Sequence, residues 1–302
     1  MTEQRSDSYG TSASRRHAFR AMGTEIALVG PDVDLFQAAG VVEAVFAREE
    51  LRFSRFRPES ELTRVNAAAG RWTDVSAPFE TLLGLAIRQA TATDGLFDPT
   101  VLDAMLAIGY DRTFDEVLAG ARDALRPPRP CGRWSEVRQK PGAVLVPEGV
   151  GLDFGGIAKG WTADMAAAEA VAAGLPWAIV SAGGDLRIAG DPPPSEIAVD
   201  DPEDGSIELT RLTLSEGALA TSSTVARAWG EGLHHIIDPR SGAPSATDVI
   251  QSTVWAPTCA EAEVCAKWAL LTGTSVAEKI PCVLVTSGGD VIISFATHGA
   301  AA

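Results

Sequence analysis

The sequence predicts an α+β protein built from helices and antiparallel strands. Strand-like runs at 177–181 and 186–189 flank the turn sequence Gly183-Gly184-Asp185, a pattern typical of a β-hairpin. A second pair of runs follows at 196–199 and 207–214. Because tight turns join antiparallel neighbours, whereas parallel strands need long crossovers, the pattern favours α+β over a doubly wound parallel fold.

The composition argues against several classes of protein. The chain has 302 residues, of which 46% are hydrophobic, so it is long and apolar enough to bury a large core. A net charge of −15 with no basic stripe argues against a nucleic-acid partner. The 4 cysteines lack C-x-x-C spacing, so we expect reduced thiols rather than zinc ligands.

The first residues carry no targeting or membrane signal. Residues 1–16 are rich in Ser, Thr and charged side chains, and we expect a disordered tail followed by a single domain at 17–302. No apolar signal core and no long apolar span is visible. The sequence therefore predicts a cytoplasmic protein without membrane insertion.

A strand and a helix follow the tail. Residues 18–29 have a strand pattern, and Gly23 inside them indicates a bulge, a close approach to the backbone or a simple bend. Asp32 or Asp34 is placed to cap a helix over 35–52, where apolar residues recur at helical spacing.

The next segment combines helix caps with two candidate ligand contacts. Ser60 and Ser76 are expected to cap a short helix and a longer one. Phe56 lies on the loop before them, where it can stack on a planar ring or fill the edge of the core. Asp98 precedes Pro99, so its backbone must be extended and its carboxylate can point outward.

A glycine pair at 155–156 is the strongest candidate for a binding site. The run at 144–146 has a strand pattern and the residues after Lys159 favour helix, so the pair is expected where a strand turns into a helix. The two glycines have no Cβ atoms, so an anion can approach their backbone, and the first N–H groups of the helix can donate to it. Lys159 would then lie beside a bound phosphate. Asp153 can bind a ligand donor or position the turn. A glycine turn that merely packs the helix against a sheet is the alternative.

Two charged or titratable pairs stand out near the C-terminus. His234 and His235 are adjacent in an apolar run, so strand alternation sends one to each face. One of them can contact a ligand, or both are core or rim histidines. Glu263 and Lys267 share a helix face, an arrangement typical of a surface ion pair.

Together these segments resemble the FAD:protein FMN transferases, the ApbE-type flavin transferases. The matching segments occur in the family's order and cover 18–295. They are Met22-Gly23-Thr24, Ser54-Arg55-Phe56 with Ser60-Glu61-Leu62 and Asn66, 95–101, 153–164, Gly183-Gly184-Asp185, Ala220-Thr221-Ser222, 234–242, and Ala256-Pro257-Thr258.

The resemblance implies a fold, a reaction and partners. The fold would have two similar fused α+β halves with antiparallel sheets and helices and an FAD cleft between them. FAD would be the donor substrate and Mg²⁺ the assisting cofactor. A threonine hydroxyl of an acceptor flavoprotein subunit would attack the FMN phosphorus and expel AMP. The alternatives are hydrolysis of FAD to FMN and AMP, and a flavin-binding protein with little turnover.

The resemblance also assigns residues by position. The FAD contacts would be Met22, Phe56, Leu96, Phe97, Asp98, Asp153, Lys159, His235 and Ile236. The Gly156 carbonyl and Glu263 would be metal ligands. His235, with an ordinary pKa near neutrality, would accept the threonine proton. Asp238 would orient the His235 ring, and Lys159 would be the third catalytic residue.

Two positions depart from the family pattern. The last helix usually offers the metal an Asp and, four residues later, a Thr, where this chain has Glu263 and Lys267. An ammonium cannot be a metal ligand. Either the site rearranges, or Lys267 supplies part of the positive charge that the metal would supply. In both cases the dependence of activity on the metal should be weakened or altered. Transferases often carry an aromatic residue with a hydroxyl group at the position of Phe56. The Phe56 ring can still stack on the flavin, but it cannot make the hydrogen bond that such a hydroxyl would make.

Overall fold

The computed structural model of the protein describes residues 14–32, 34–120 and 125–295. Its strands are β1 (Ser14–Ala21), β2 (Thr24–Pro31), β3 (Trp72–Asp74), β4 (Arg138–Lys140), β5 (Ala143–Leu145), β6 (Trp177–Ala182), β7 (Asp185–Gly190), β8 (Ser195–Asp200), β9 (Glu208–Leu214), β10 (Ala218–Ser223), β11 (Ala228–Gly230), β12 (Leu233–His234), β13 (Ile237–Asp238), β14 (Ala243–Pro244), β15 (Val249–Ala256), β16 (Cys282–Thr286) and β17 (Val291–Ser294). Its α-helices are α1 (Leu35–Phe53), α2 (Glu61–Ala67), α3 (Ala77–Ala92), α4 (Leu102–Ala107), α5 (Phe114–Ala119), α6 (Ala158–Ala172) and α7 (Cys259–Thr272).

One antiparallel sheet of eight strands organises the molecule, in the order β1-β2-β6-β7-β10-β15-β16-β17. Every neighbouring pair in it is antiparallel. Four strands come from residues 14–190 and four from residues 218–294, and the two sets meet where β7 pairs with β10. The α+β class is therefore confirmed, and the two predicted halves share one continuous sheet.

Helices α1, α6 and α7 pack on one face of this sheet and form the main core with it. The stripe of α1 that faces inward contains Ala38, Val42 and Phe46, all nearly free of solvent contact, which is the spacing the sequence predicts. The small residues Ala163, Ala166 and similar alanines of α6 are also buried. Small side chains let α6 lie close to both α1 and the sheet.

A second core lies beside the first and holds the loops that lead to the glycine pair. Helices α2 and α3 pack there against β5 and the segment 150–158. The rings of Phe53, Phe79 and Phe154 pack together, with centroids 5.5–6.1 Å apart. This aromatic cluster joins the end of α1 to the segment that precedes α6.

Most predicted turns and caps are confirmed. Ser60 and Ser76 accept hydrogen bonds from backbone N–H groups three residues later and cap α2 and α3. Met22 and Gly23 both have positive φ and form the tight turn between β1 and β2. A Cβ at Gly23 would meet no atom within 4 Å, so glycine relieves backbone strain there and no neighbouring chain crowds it.

Three local predictions need correction. Asp34 is at the N-cap of α1 but makes no capping hydrogen bond, and Asp32 pairs with Arg15 instead. Strand β5 ends at Leu145, well before α6 begins, so the glycine pair lies in a turn at the end of a long connection. Residues 14–16 of the predicted tail belong to β1, and residues 1–13 lie outside the described residues.

Two predictions concern segments on the surface or in a membrane. Residues 121–130 are rich in Arg and Pro, a composition that predicts a surface segment. Residues 125–130 are exposed as predicted, and 121–124 fall outside the described part. Among the described helices, none combines the length and hydropathy needed to cross a membrane. The cytoplasmic location and the single domain boundary stay predictions.

Candidate active site

A cavity of about 400 Å³ opens where the two cores meet. Its walls come from the β1–β2 turn, the loop after α1, the segments 96–101 and 153–159, the segment 235–239 and helix α7. Every FAD contact predicted by position lines it: Met22, Phe56, Leu96, Phe97, Asp98, Asp153, Lys159, His235 and Ile236. Tertiary folding therefore brings these residues together from five separate segments.

Arg55 organises the aromatic wall of the cavity. Its guanidinium carbon lies 4.1 Å from the ring centroid of Phe56 and 4.7 Å from that of Tyr110. Its Nε lies 2.7 Å from Asp153 Oδ2, and both side chains are buried. A cation held between two rings and a carboxylate fixes Phe56 and Tyr110 at one end of the cavity.

Asp153 also shapes the glycine turn. Its Oδ1 accepts a hydrogen bond of 2.6 Å from the Gly155 N–H, so the carboxylate links the turn to Arg55. Of the two predicted roles for Asp153, positioning the turn is confirmed. Contact with a ligand stays a prediction.

Four charged side chains, Lys159, Asp185, Glu263 and Lys267, form a cluster in which both carboxylates are buried and the two half-buried lysines line the cavity. Lys159 Nζ lies 2.5 Å from Asp185 Oδ2 and 2.6 Å from Glu263 Oε1. The second oxygen of Glu263 accepts a hydrogen bond of 2.9 Å from the Gly160 N–H, in the first turn of α6. Thus a carboxylate of this chain occupies one donor of the predicted anion site at the start of the helix.

Lys267 is the fourth member of this cluster. Its Nζ lies 3.3 Å from both Glu263 Oε1 and the Glu263 carbonyl oxygen, one turn earlier on α7. A Cβ on Gly156 would lie 3.2 Å from the Lys267 Cδ and Cε atoms and from the Phe97 ring. Glycine at 156 therefore leaves room for the lysine stem. The prediction of a surface pair was wrong, because Glu263 is fully buried.

The cluster shifts the pKa values of its members. Burial would lower the pKa of Lys159, but Asp185 and Glu263 outweigh this effect and raise it. Burial raises the pKa of Asp185 to about 6, although Lys159 opposes the shift. Burial would also raise the pKa of Glu263, but Lys159 and Lys267 lower it. Burial lowers the pKa of Lys267, and Glu263 counteracts that effect.

Comparison with known proteins assigns the chain to a family. The sequence model of the ApbE family matches residues 22–291. The chain belongs to the ApbE family. The match covers most of the chain and includes every wall of the cavity described above.

Relatives and solved ApbE structures agree with this assignment. A FAD:protein FMN transferase from Rhodobacter capsulatus is 32% identical over 236 residues, which cover 71% of this chain and 42% of that protein. One from Klebsiella pneumoniae (strain 342) is 28% identical over 305 residues, 94% of this chain and 93% of its own length. The crystal structure of an ApbE protein from Thermotoga maritima has a TM-score of 0.83 and 26% identity, covering 93% of this chain and 97% of that one. The chain thus spans less than half of the first relative and nearly all of the other two.

The residues at the metal position that the resemblance predicts do not fit Mg²⁺ in this chain. Both oxygens of Glu263 are engaged by the Lys159 and Lys267 ammoniums and the Gly160 N–H. A divalent cation about 4 Å from one ammonium would be repelled by about 8 kcal/mol at an effective dielectric constant near 20. Within the described residues, no three His, Cys, Asp or Glu side chains converge as a metal site requires.

His235 is the histidine of the ApbE motif that reaches the cavity. Its Nδ1 is buried and has no hydrogen-bond partner among the described residues. Burial, followed by the nearby cations Arg227 and Lys267, lowers its pKa well below the usual value, so the imidazole is neutral at pH 7. His234 instead lies 3.1 Å from the Ser245 carbonyl oxygen through Nε2, as a histidine with a structural role.

Asp238 and Asp98 have partners that the sequence does not predict, and the outward orientation expected for Asp98 is wrong. The Asp238 carboxylate is bound by the Arg240 guanidinium, at 2.7 Å between Oδ2 and Nη2, and His235 Nδ1 has no hydrogen-bond partner in the described part of the chain. Asp98 points inward, because its carboxylate accepts hydrogen bonds from Thr100 and from the Gly132 N–H. Its side chain holds the loop that forms the cavity wall.

Sequence reasoning missed four residues of the ApbE site. Arg55 and Asp185 lie inside motifs that the sequence displays, at Ser54-Arg55-Phe56 and Gly183-Gly184-Asp185, but nothing local reveals their partners. Tyr110 and Arg227 line the cavity and belong to no motif. The clue that the sequence does offer is charge, since Asp185 follows two glycines and Arg55 precedes an aromatic residue.

Proposed function

We propose that this protein is a FAD:protein FMN transferase that moves FMN from FAD to a threonine hydroxyl of an acceptor protein. One observation carries the proposal: a single cavity combines an aromatic wall at Phe56 and Tyr110, two ammoniums at Lys159 and Lys267, and the neutral His235. A planar ring, a diphosphate and a hydroxyl nucleophile need these three environments. The names of the relatives support the same activity.

The ring of FAD would occupy the aromatic end of the cavity. Met22 and Phe56 flank this end, and Leu96 and Phe97 provide apolar surface next to it. The Arg55 guanidinium, packed on Phe56, keeps the ring orientation fixed before the ligand arrives. Such preorganisation reduces the entropy lost on binding.

The transfer would proceed by in-line attack at phosphorus. The threonine Oγ forms a bond to the FMN phosphorus while the bond from that phosphorus to the bridging oxygen breaks, and AMP leaves with the electron pair. His235 accepts the threonine proton, since its lowered pKa keeps the imidazole neutral at pH 7. Lys159 and Lys267 stabilise the charge that develops on the phosphate oxygens, and Ile236 lies beside the reacting group.

Mg²⁺ has no role in this proposal. The resemblance predicts an assisting magnesium ion held by Glu263 and the Gly156 carbonyl, but the oxygens of Glu263 already bind two ammoniums and a backbone N–H. The acceptor would be a flavoprotein subunit that presents a threonine at the mouth of the cavity. Asp238 is not part of the mechanism, because Arg240 neutralises it.

A denaturing gel tests the proposal against its two alternatives. The protein is incubated with FAD and a flavoprotein subunit encoded beside its gene, and with the same subunit carrying alanine at the target threonine. Transfer gives a fluorescent acceptor band only with the threonine form, together with free AMP. AMP and FMN without a band would indicate FAD hydrolysis. FAD that stays bound and intact would indicate a flavin-binding protein.

A further inference from the structure

The positive charge in the cavity wall is built into the chain and needs no metal ion. Lys159 and Lys267 both line the cavity, and their partners Asp185 and Glu263 are almost completely buried behind them. The four side chains carry two positive and two negative charges. A cluster that is already balanced has no excess negative charge with which to hold a divalent cation.

Lys267 has one N–H donor that no group in the described ranges binds. An ammonium has three N–H groups. Two of them are accounted for by the oxygens of Glu263, both at 3.3 Å. Its stem packs against Gly156, which places the ammonium next to the glycine turn. The remaining N–H is available to an oxygen of a ligand in the cavity.

Lys159 has shorter contacts with the carboxylates than Lys267 has. Its contacts with Asp185 and Glu263, at 2.5 and 2.6 Å, use the stronger acceptor oxygens of the cluster. Lys267 is left with the longer contact to the same Glu263 oxygen. Of the two ammoniums, Lys267 is therefore the one that can exchange part of its bonding for a phosphate oxygen.

We propose that the Lys267 ammonium replaces the divalent cation, so that this protein binds the diphosphate of FAD and transfers FMN without a metal ion. This inference rests on the proposed function for the identity of the ligand. Lys267 donates to a diphosphate oxygen and neutralises charge at the position where a cation would otherwise stand. The cluster offers Mg²⁺ no excess negative charge, and both oxygens of Glu263 are already bound by the ammoniums and by the Gly160 N–H.

Wild-type protein, freed of metal by dialysis against EDTA, gives the first test. FAD binding is followed by quenching of flavin fluorescence, in EDTA and in excess Mg²⁺. We expect the same Kd in both conditions and the same transfer rate to the acceptor. Binding that requires Mg²⁺ would overturn the inference while leaving the proposed function standing. No FAD binding in either condition would overturn both.

The variant Lys267→Met gives the second test, with Lys279→Met as its matched control on an exposed lysine. Methionine keeps the stem and removes the charge. In EDTA, Lys267→Met should bind FAD about tenfold more weakly, the loss expected for one charge-assisted hydrogen bond, and Lys279→Met should bind like the wild type. Unchanged FAD binding by Lys267→Met would contradict the proposal.

Adding Mg²⁺ to the variant and to the wild type tests whether Lys267 acts through its charge or through its packing. Removal of Lys267 leaves Glu263 and Asp185 with one ammonium between them, so Mg²⁺ should now raise the melting temperature of Lys267→Met and partly restore its FAD affinity. It should leave the wild type unchanged. A wild type stabilised by Mg²⁺ alone would overturn the inference even if Lys267→Met did not fold.

Discussion

Lys159 Nζ lies 2.6 Å from Glu263 Oε1, although the two residues are 104 positions apart in the chain. The contact joins the first turn of α6 to the middle of α7. Asp185, at the start of β7, binds the same ammonium at 2.5 Å. One buried lysine therefore ties together two helices and the central sheet, directly beneath the cavity.

Removing this lysine should destabilise the fold. In Lys159→Met the buried carboxylates of Asp185 and Glu263 lose their main cation, so the free energy of unfolding should fall by about 3–5 kcal/mol. Urea denaturation followed by circular dichroism measures it. Lys279→Met, at an exposed site, should change stability by less than about 0.5 kcal/mol. Equal losses in the two variants would show that the cluster adds nothing to stability.

His235 should make stability depend on pH. Its pKa is lowered by burial and by Arg227 and Lys267, so the unfolded chain binds a proton that the folded chain does not. Stability should therefore be complete above the unfolded pKa of about 6.5 and decrease as pH falls below it. His235→Gln should lose less stability than the wild type between about pH 7.5 and 5.5, as measured by urea denaturation. The pKa of His234 is also lowered, so this residue contributes to the dependence of stability on pH in both the wild type and His235→Gln. If the free energy of unfolding changed equally with pH in both proteins, the pKa of His235 would not be lowered in the folded state.

His235, the predicted proton acceptor, and Asp238, predicted to orient it, should respond differently to substitution. His235→Gln should lower the FMN transfer rate by about 100-fold or more, because the base in contact with the nucleophile is lost. Asp238→Asn should change the rate by about twofold at most, since this carboxylate forms an ion pair with Arg240. Transfer of fluorescence to the acceptor measures both rates. A large loss in Asp238→Asn would support the predicted role of Asp238 in orienting His235.

Arg55 should affect FAD affinity through shape as well as charge. Arg55→Lys keeps the cation beside Asp153 but loses the planar group packed between Phe56 and Tyr110, so the Kd for FAD should rise about fivefold to tenfold. Flavin fluorescence titration measures it. The control is Arg138→Lys, an exposed position on β4 that lies outside the cavity lining. If both variants bind FAD equally well, the stacked guanidinium has no role in binding.

The sequence predicts the local features of this protein well, because their causes are local. Ser60 and Ser76 cap helices through N–H groups three residues away, and Gly183-Gly184 forms its hairpin through positive φ angles. The eight ordered motifs also lead to the ApbE family, which the match over residues 22–291 confirms. The predicted FAD contacts all reach one cavity for the same reason, since they were carried over by motif.

Tertiary structure decided the charges around the site. Spacing alone makes Glu263 and Lys267 a surface pair, and only the packing of α7 against α6 and the sheet buries Glu263 and gives it Lys159 as a partner. Likewise, the neighbours of His235 and Asp238 depend on loops that fold together from distant positions. Local sequence determines turns, caps and helix faces through backbone geometry. A buried ion pair depends instead on which distant groups lie together in a low-dielectric environment. Only the complete fold determines which groups those are.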